Sequence, residues 1–274
     1  MATPNNDTPT PLSTSSTGAD NGHNTVANSA VNSGMNTGGS AIGSANIKSL
    51  VQSGYDHIAV RYLEWTTSTP SPRVEFLGKL EAQLQTLYLS RDTSKPNPRI
   101  LELGCGAGVP ATQYLVSSGF AVTANDISTA QIQLARKHVT IGSTGDEDEW
   151  SEIGSVEFIL GDMMELDYPA ATFDAVVGLY SVLHLPADEQ EMLMRRIFGW
   201  LKEGGYLLVN FGVTADSGAI LGDFLGKEMY WSCFPERVYR HIVAREGFAV
   251  IEAEVRVDVE DGVDVPFLWI LGKK

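Results

Sequence analysis

One stretch limits this chain more than any other: Arg99 to Leu115, which reads R-I-L-E-L-G-C-G-A-G-V-P-A-T-Q-Y-L. Ile100, Leu101 and Leu103 form a short apolar run between Pro98 and Gly104, the pattern of a strand buried in a parallel sheet. Gly104, Gly106 and Gly108 follow at once. They can take backbone angles closed to other residues, so the chain can turn sharply and a ligand can approach the main chain itself. From Val109 to Ser118 no glycine interrupts, and Pro110 is tolerated in a first turn, so a helix is expected to begin near it. Strand, glycine turn and helix together make a nucleotide-binding corner.

Glycines alone do not say which nucleotide. Glu102 stands two residues before Gly104, where a carboxylate can receive a cationic amino group held near the turn. A dinucleotide's pyrophosphate instead wants bare N–H groups at a helix N-terminus. The spacing also departs from G-x-G-x-x-G, since Gly108 is the third glycine and Val109 fills the place that motif needs. At these residues the sequence resembles the class I S-adenosylmethionine-dependent methyltransferases, whose first motif is an acidic residue, x, then G-x-G-x-G. The resemblance implies that the amino acid end of S-adenosylmethionine sits on the glycine turn, on Glu102, Gly104 and Gly106. Cys105 lies among these cofactor positions, its size suiting the turn.

At 274 residues the chain has room for one α/β domain with extensions. Its net charge of -15, from 19 basic and 34 acidic side chains, repels phosphate backbones and argues against a nucleic-acid partner. Two cysteines, Cys105 and Cys233, supply neither a disulfide framework nor metal-ligand spacing, so no metal is expected and a reducing cytosol fits. No apolar run reaches the roughly 18 residues a spanning helix needs, and the N-terminus lacks the blocks of a signal peptide. A soluble, cytoplasmic protein without membrane contact is the expectation.

Residues 1–45 are Ser, Thr, Asn, Gly and Pro with scattered apolar residues, and are expected to be a disordered tail. The rest, 46–274, is expected to be one domain: a helical cap (46–97), a cofactor-binding core (98–212), a substrate-side insertion (213–234), and a last helix and hairpin (235–274). In the cap, Tyr55, Ile58, Tyr62 and Trp65 recur at helical spacing. Such a stripe often packs on the core. By resemblance to Y-D-x-I-A-x-x-Y, the helix that covers the cofactor in many small-molecule methyltransferases, Tyr62 would touch cofactor and Tyr55 substrate. Pro72 to Leu89 continues as a second helix with Phe76, Leu77, Leu80, Leu84 and Leu87 on one face.

Beyond the first corner, F-A-V-T-A-N-D reads as a strand ending at Asp126, with Ser128 capping the next helix. Asp126 falls 22 residues after Gly104, where a carboxylate accepts the ribose hydroxyls of either cofactor. Helix capping is its plainer use. Ile127 would flank the adenine by resemblance. Residues 141–154 form an acidic insert with no assigned chemistry. After the strand V-E-F-I-L, Asp162 can accept the adenine amine and the Met163 main chain can serve a ring nitrogen, although Asp162 also suits a simple turn.

Phe173 to Gly178 suits a central strand, and ligands in doubly wound sheets bind where strand order reverses, beside strand one. Leu179, Tyr180, Ser181 and His184 therefore emerge beside the expected methyl group. His184, with an unperturbed pKa near 6.5, is a candidate base; a backbone-bonded helix-start residue is the plainer reading. Tyr180 could lend an aromatic face to dispersing positive charge. After the helix Asp188 to Lys202 and the strand Tyr206 to Phe211, the aromatic-rich insertion offers Tyr230 and Trp231 as a substrate wall. A packed subdomain or a homodimer contact is an equal alternative. Pro235 to Glu246 makes the last helix, and a terminal hairpin resembles the reversed seventh strand of class I methyltransferases.

The expected fold is thus α/β: a doubly wound, Rossmann-like seven-stranded sheet with a C-terminal antiparallel hairpin and an N-terminal helical cap. The resemblance, to the ubiquinone-methyltransferase-like group, implies methyl transfer from S-adenosylmethionine to a small organic acceptor at O, N, S or C. The alternatives are an NAD(P)-dependent oxidoreductase and a non-catalytic adenosylmethionine-binding regulatory protein.

Overall fold

The computed structural model describes residues 43–88, 96–141, 154–260 and 263–274. The expected tail, apart from its last residues, most of the acidic insert and the tip of the terminal hairpin lie outside the described residues.

Two helices open the described chain. In α1 (Ser44–Ser68), Ile47, Val51, Gly54 and Ile58 are buried at alternating steps of four and three, one stripe of a helix. It ends at Thr69, whose extended backbone suits a residue before Pro70. In α2 (Arg73–Tyr88), Phe76, Leu77, Leu80 and Leu84 are fully buried.

The parallel core follows as β1 (Arg99–Leu103), α3 (Ala111–Ser117), β2 (Ala121–Asp126), α4 (Thr129–His138), β3 (Ser155–Leu160) and β4 (Phe173–Gly178). A 3-10 turn at Val182–His184 leads into α5 (Ala187–Trp200) and β5 (Leu201–Gly212). α5 stops two residues before the expected Lys202, because Leu201 already pairs with Phe173; the register then shifts before Ala175 meets Tyr206.

The insertion is an ordered hairpin, with β6 (Gly218–Phe224) and β7 (Lys227–Cys233) pairing antiparallel as a separate two-stranded sheet. Met229 and Tyr230 of β7 pack on Ile47, Val51 and Ile58 of α1. The approach is so close that a Cβ on Gly54 would lie 2.8 Å from Cε of Met229. Then come α6 (Glu236–Arg245) and the antiparallel pair β8 (Ala249–Glu260) and β9 (Val263–Lys273).

Seven strands form the main sheet in the order β3-β2-β1-β4-β5-β9-β8, with β9 antiparallel to both neighbours. This is the doubly wound sheet with reversed terminal strand that the sequence leads one to expect. The central strand β4 is buried throughout. One core contains Phe76, Ile100, Leu115 and Trp269, and another Leu101, Phe173, Ile197, Phe211 and Tyr239. Alternate residues of β1 fall in opposite cores, as period-two side chains must. Strand order reverses between β1 and β4, which places a crevice at their C-terminal ends. Among the described residues, no helix is long and apolar enough to cross a membrane.

Candidate active site

The crevice is a cavity walled by the ends of β1 to β4 below and by α1 above. The glycine turn is its floor. Gly104 and Cys105 both donate their N–H to the Asn125 carbonyl, at 2.8 and 2.9 Å, tying the end of β1 to β2. Gly104 has φ of 74°, and a Cβ there would stand 2.3 Å from Cβ of Ser181. The Ser181 hydroxyl in turn donates to the Leu103 carbonyl at 2.7 Å, so the segment after β4 closes directly on the turn.

Three carboxylates face this floor from successive strands. Glu102 is buried and accepts a 2.7 Å hydrogen bond from the Thr112 hydroxyl on α3. Burial pushes its pKa up to about 8; the Thr112 bond opposes the shift and the Asp126 charge adds to it. Asp126 accepts from the Gly106 N–H through one oxygen and from the Ser128 N–H through the other, each at 2.8 Å. Burial raises it to about 6 against those two bonds. The cap of α4 is Ser128 itself, whose hydroxyl oxygen accepts from the Gln131 N–H. Asp126 therefore braces the glycine turn and does not cap the helix. Asp162 accepts from the Met164 N–H at 2.8 Å and pairs with Lys48 of α1 at 2.6 Å.

The structure brings most of the expected site residues together. Tyr55, Tyr62, Ile127 and Met163 line the cavity with the carboxylates and the glycine turn, as do Cys105, Leu179, Tyr180 and His184. Tyr230 and Trp231 are not among its lining residues. Tyr230 is buried against α1 and presents its backbone carbonyl to His184, while Trp231 lies edge-on to Phe224 with its ring centroid 6.2 Å from that of His184. Cys105 and Cys233 are buried, and burial raises both thiols.

His184 is held at both ring nitrogens. Nδ1 lies 2.8 Å from the Tyr230 carbonyl oxygen and Nε2 2.9 Å from the Tyr55 hydroxyl. A carbonyl only accepts, so Nδ1 carries the proton, and Nε2 accepts from Tyr55. Burial drives the imidazole pKa down to about 4, outweighing the Tyr230 bond, so the ring is neutral at pH 7. Tyr180 is likewise committed: its hydroxyl donates to Asp258 at 2.6 Å, and the Arg73 guanidinium lies 3.9 Å from its ring centroid. The ring face expected to meet a developing cation already meets one.

Several residues in or beside the wall carried no local sequence signal. Lys48 bridges Asp162 and Glu189, at 2.6 and 2.8 Å. Asp56 of α1 accepts from the Ser128 hydroxyl at 2.7 Å and the Ala130 N–H at 3.0 Å, fastening α1 to the start of α4. Gln131 is fully buried and lines the cavity, yet both atoms of its amide lack a hydrogen-bond partner. Thr66 Oγ1 and Asn125 Oδ1, in the same cavity, share that condition. Buried polar atoms are ordinarily paired, so this cluster fits a polar ligand with both donors and acceptors.

Residues 100–205 match a family model described as a methyltransferase domain. A sterol 24-C-methyltransferase of Eremothecium gossypii is 27% identical over 177 residues, covering 60% of this chain and 43% of that protein. The methyltransferase GfsG of Streptomyces halstedii is 33% identical over 110 residues, covering 40% of this chain and 36% of that protein. The chain thus spans less than half the length of these curated relatives. Among solved structures, the 1,6-didemethyltoxoflavin-N1-methyltransferase of Burkholderia thailandensis has a TM-score of 0.62 at 17% identity. It covers 86% of this chain and 92% of that one, and the likeness extends to the fold.

Proposed function

We propose that this chain, whose residues 100–205 match a family model described as a methyltransferase domain, transfers a methyl group from S-adenosylmethionine to a small organic acceptor. One observation carries the reading: Glu102, Asp126 and Asp162, from the ends of three consecutive parallel strands, line one cavity with the glycine turn and a set of unpaired polar atoms. Relatives named for sterol and rifamycin methylation support a small-molecule acceptor, and the net charge of -15 argues against a nucleic acid.

In this reading Glu102 receives the cofactor's amino group, Asp126 the ribose hydroxyls, and Asp162 with the Met163 main chain the adenine, beside Ile127. Gly106, without a side chain to fill the space before Tyr62 and Gln131, leaves room for the amino acid end beside Gly104 and Cys105, while Tyr62 and Leu179 close over it. The cofactor supplies an electrophilic methyl on a sulfonium, so the protein's task is chiefly to hold the acceptor's nucleophile in line. In this reading the nucleophile approaches Tyr55 and His184, which line the cavity. With Nδ1–H fixed on the Tyr230 carbonyl and Nε2 accepting from Tyr55, an acceptor hydroxyl or amine reaches the Nε2 lone pair, and can lose its proton there as the new bond forms, by displacing the Tyr55 hydroxyl. The Tyr55 hydroxyl marks the place such a group would occupy.

Calorimetry against S-adenosylmethionine, S-adenosylhomocysteine and NAD tests the reading. Binding of the first two and not the third is expected; binding of NAD alone would overturn it. Incubation with methyl-labelled cofactor and a metabolite extract then tests turnover, and tight binding without labelled product would favour a regulatory role.

A further inference from the structure

We propose that the cavity selects acceptors bearing an anionic group, a carboxylate or a phosphate, and that Arg73 receives it; this rests on the methyltransferase reading above. Arg73, the first residue of α2, is 8% exposed and lines the cavity. Its guanidinium donates to the Ser71 hydroxyl at 2.9 Å and lies over the Tyr180 ring. Among the described residues, no carboxylate comes within ion-pair distance of it. Asp258 feels its charge but spends one oxygen on the Tyr180 hydroxyl.

The contrast with the cavity's other strong cation is informative. Lys48 is matched by two carboxylates, Asp162 and Glu189. Arg73 sits in low dielectric with a π-face and one hydroxyl. A buried guanidinium normally requires a counter-charge, and its planar fork is shaped for carboxylate or phosphate. A cationic cofactor in the same cavity raises that demand.

Position assigns the anion to the acceptor. The carboxylates proposed for the cofactor lie at the ends of β1, β2 and β3. Arg73 stacks on Tyr180, which follows β4, packs on Phe267 and Trp269 of β9 and bonds Asp258 of β8. In the strand order these elements lie on the other side of β1. Arg73 and Tyr55 line the same cavity, and Tyr55 feels both the Arg73 charge and the opposite charge of Glu260.

The test uses the full chain saturated with S-adenosylhomocysteine and titrated calorimetrically with benzoate, phenyl phosphate and uncharged benzyl alcohol. At least one anion is expected to bind about tenfold tighter than the alcohol. R73M should abolish that preference and R73K retain part of it, with S-adenosylhomocysteine affinity unchanged in both. R73K, which keeps the charge, serves as the folding control, and the wild-type preference stands as evidence should R73M not fold. Equal binding of charged and uncharged probes, or no binding of either anion, overturns the proposal. A loss of S-adenosylhomocysteine affinity of about tenfold in R73M also overturns it, making the cofactor's own carboxylate the anion. If wild type fails to bind S-adenosylhomocysteine, the methyltransferase reading falls, and this inference with it.

Discussion

Glu102 carries a proton at neutral pH that it would not hold in the unfolded chain, where its pKa is 4.5 instead of about 8. The folded state then binds the extra proton across that interval, so Glu102 favours folding below 4.5 and progressively loses that contribution as pH rises toward 8. Just above pH 6.5 His184, with an unfolded value of 6.5 and a folded value of about 4, offsets part of the fall, while Asp126, at about 6, adds little. Urea titrations between pH 6.5 and 8 should therefore show stability falling by roughly 1.5 kcal/mol, and E102Q should flatten the trend. A cationic amino group placed on Glu102 would expel its proton. Calorimetry at pH 7 in buffers of different ionisation enthalpy should find proton release on S-adenosylmethionine binding, absent in E102Q. Glu102, Asp126 and Asp162 were legible because each follows from a short local pattern of strand, turn and spacing. Lys48, Asp56 and Arg73 were not, since Asp56 meets Ser128 across 72 residues of sequence and nothing near either one announces the other.

The corner itself is intolerant of added atoms. Gly108 has φ of 78°, and a Cβ there would sit 2.4 Å from Cγ2 of Val139 on the far end of α4. G108A should lower stability by about 1–3 kcal/mol in thermal or denaturant melts, as should G104A against Ser181. The cap is fastened by charge as well as by packing. K48M leaves Asp162 and Glu189 facing each other without their shared cation, so hydrogen exchange in residues 44–68 should accelerate while β1 and β4 stay protected. The insertion shows where sequence reading stops at this scale. Its aromatic content suited a substrate wall and a packed subdomain equally; the hairpin packs Tyr230 against α1 and turns that residue's carbonyl, with the Trp231 ring, toward His184. Which side of a strand faces a cavity depends on a docking partner, and α1 begins more than 150 residues upstream of β7 in the same numbering.

Across the whole molecule, stability resides in the two cores that sandwich the sheet. Phe211, 1% exposed and stacked on Tyr239 at 4.1 Å, joins β5 to α6. F211A should cost about 3–5 kcal/mol in a cooperative urea transition. Val259, on the edge strand β8 and 56% exposed, should tolerate alanine within about 0.5 kcal/mol. The sheet order was legible as a whole because repeated βα units admit few arrangements and the final hairpin must add its strands antiparallel. The acceptor was not, because its wall is assembled from α1, α2 and the segment after β4, none of which repeats a pattern.

α1 is both a wall of the cavity and a tether, joined to Asp162 through Lys48, to α4 through Asp56 and to His184 through Tyr55. A ligand whose entry needs α1 to swing away waits for these bonds to break together, a first-order event independent of how much ligand is outside. Stopped-flow association should accordingly level off at high ligand concentration, at a rate set by the helix swinging away, and K48M should raise that plateau.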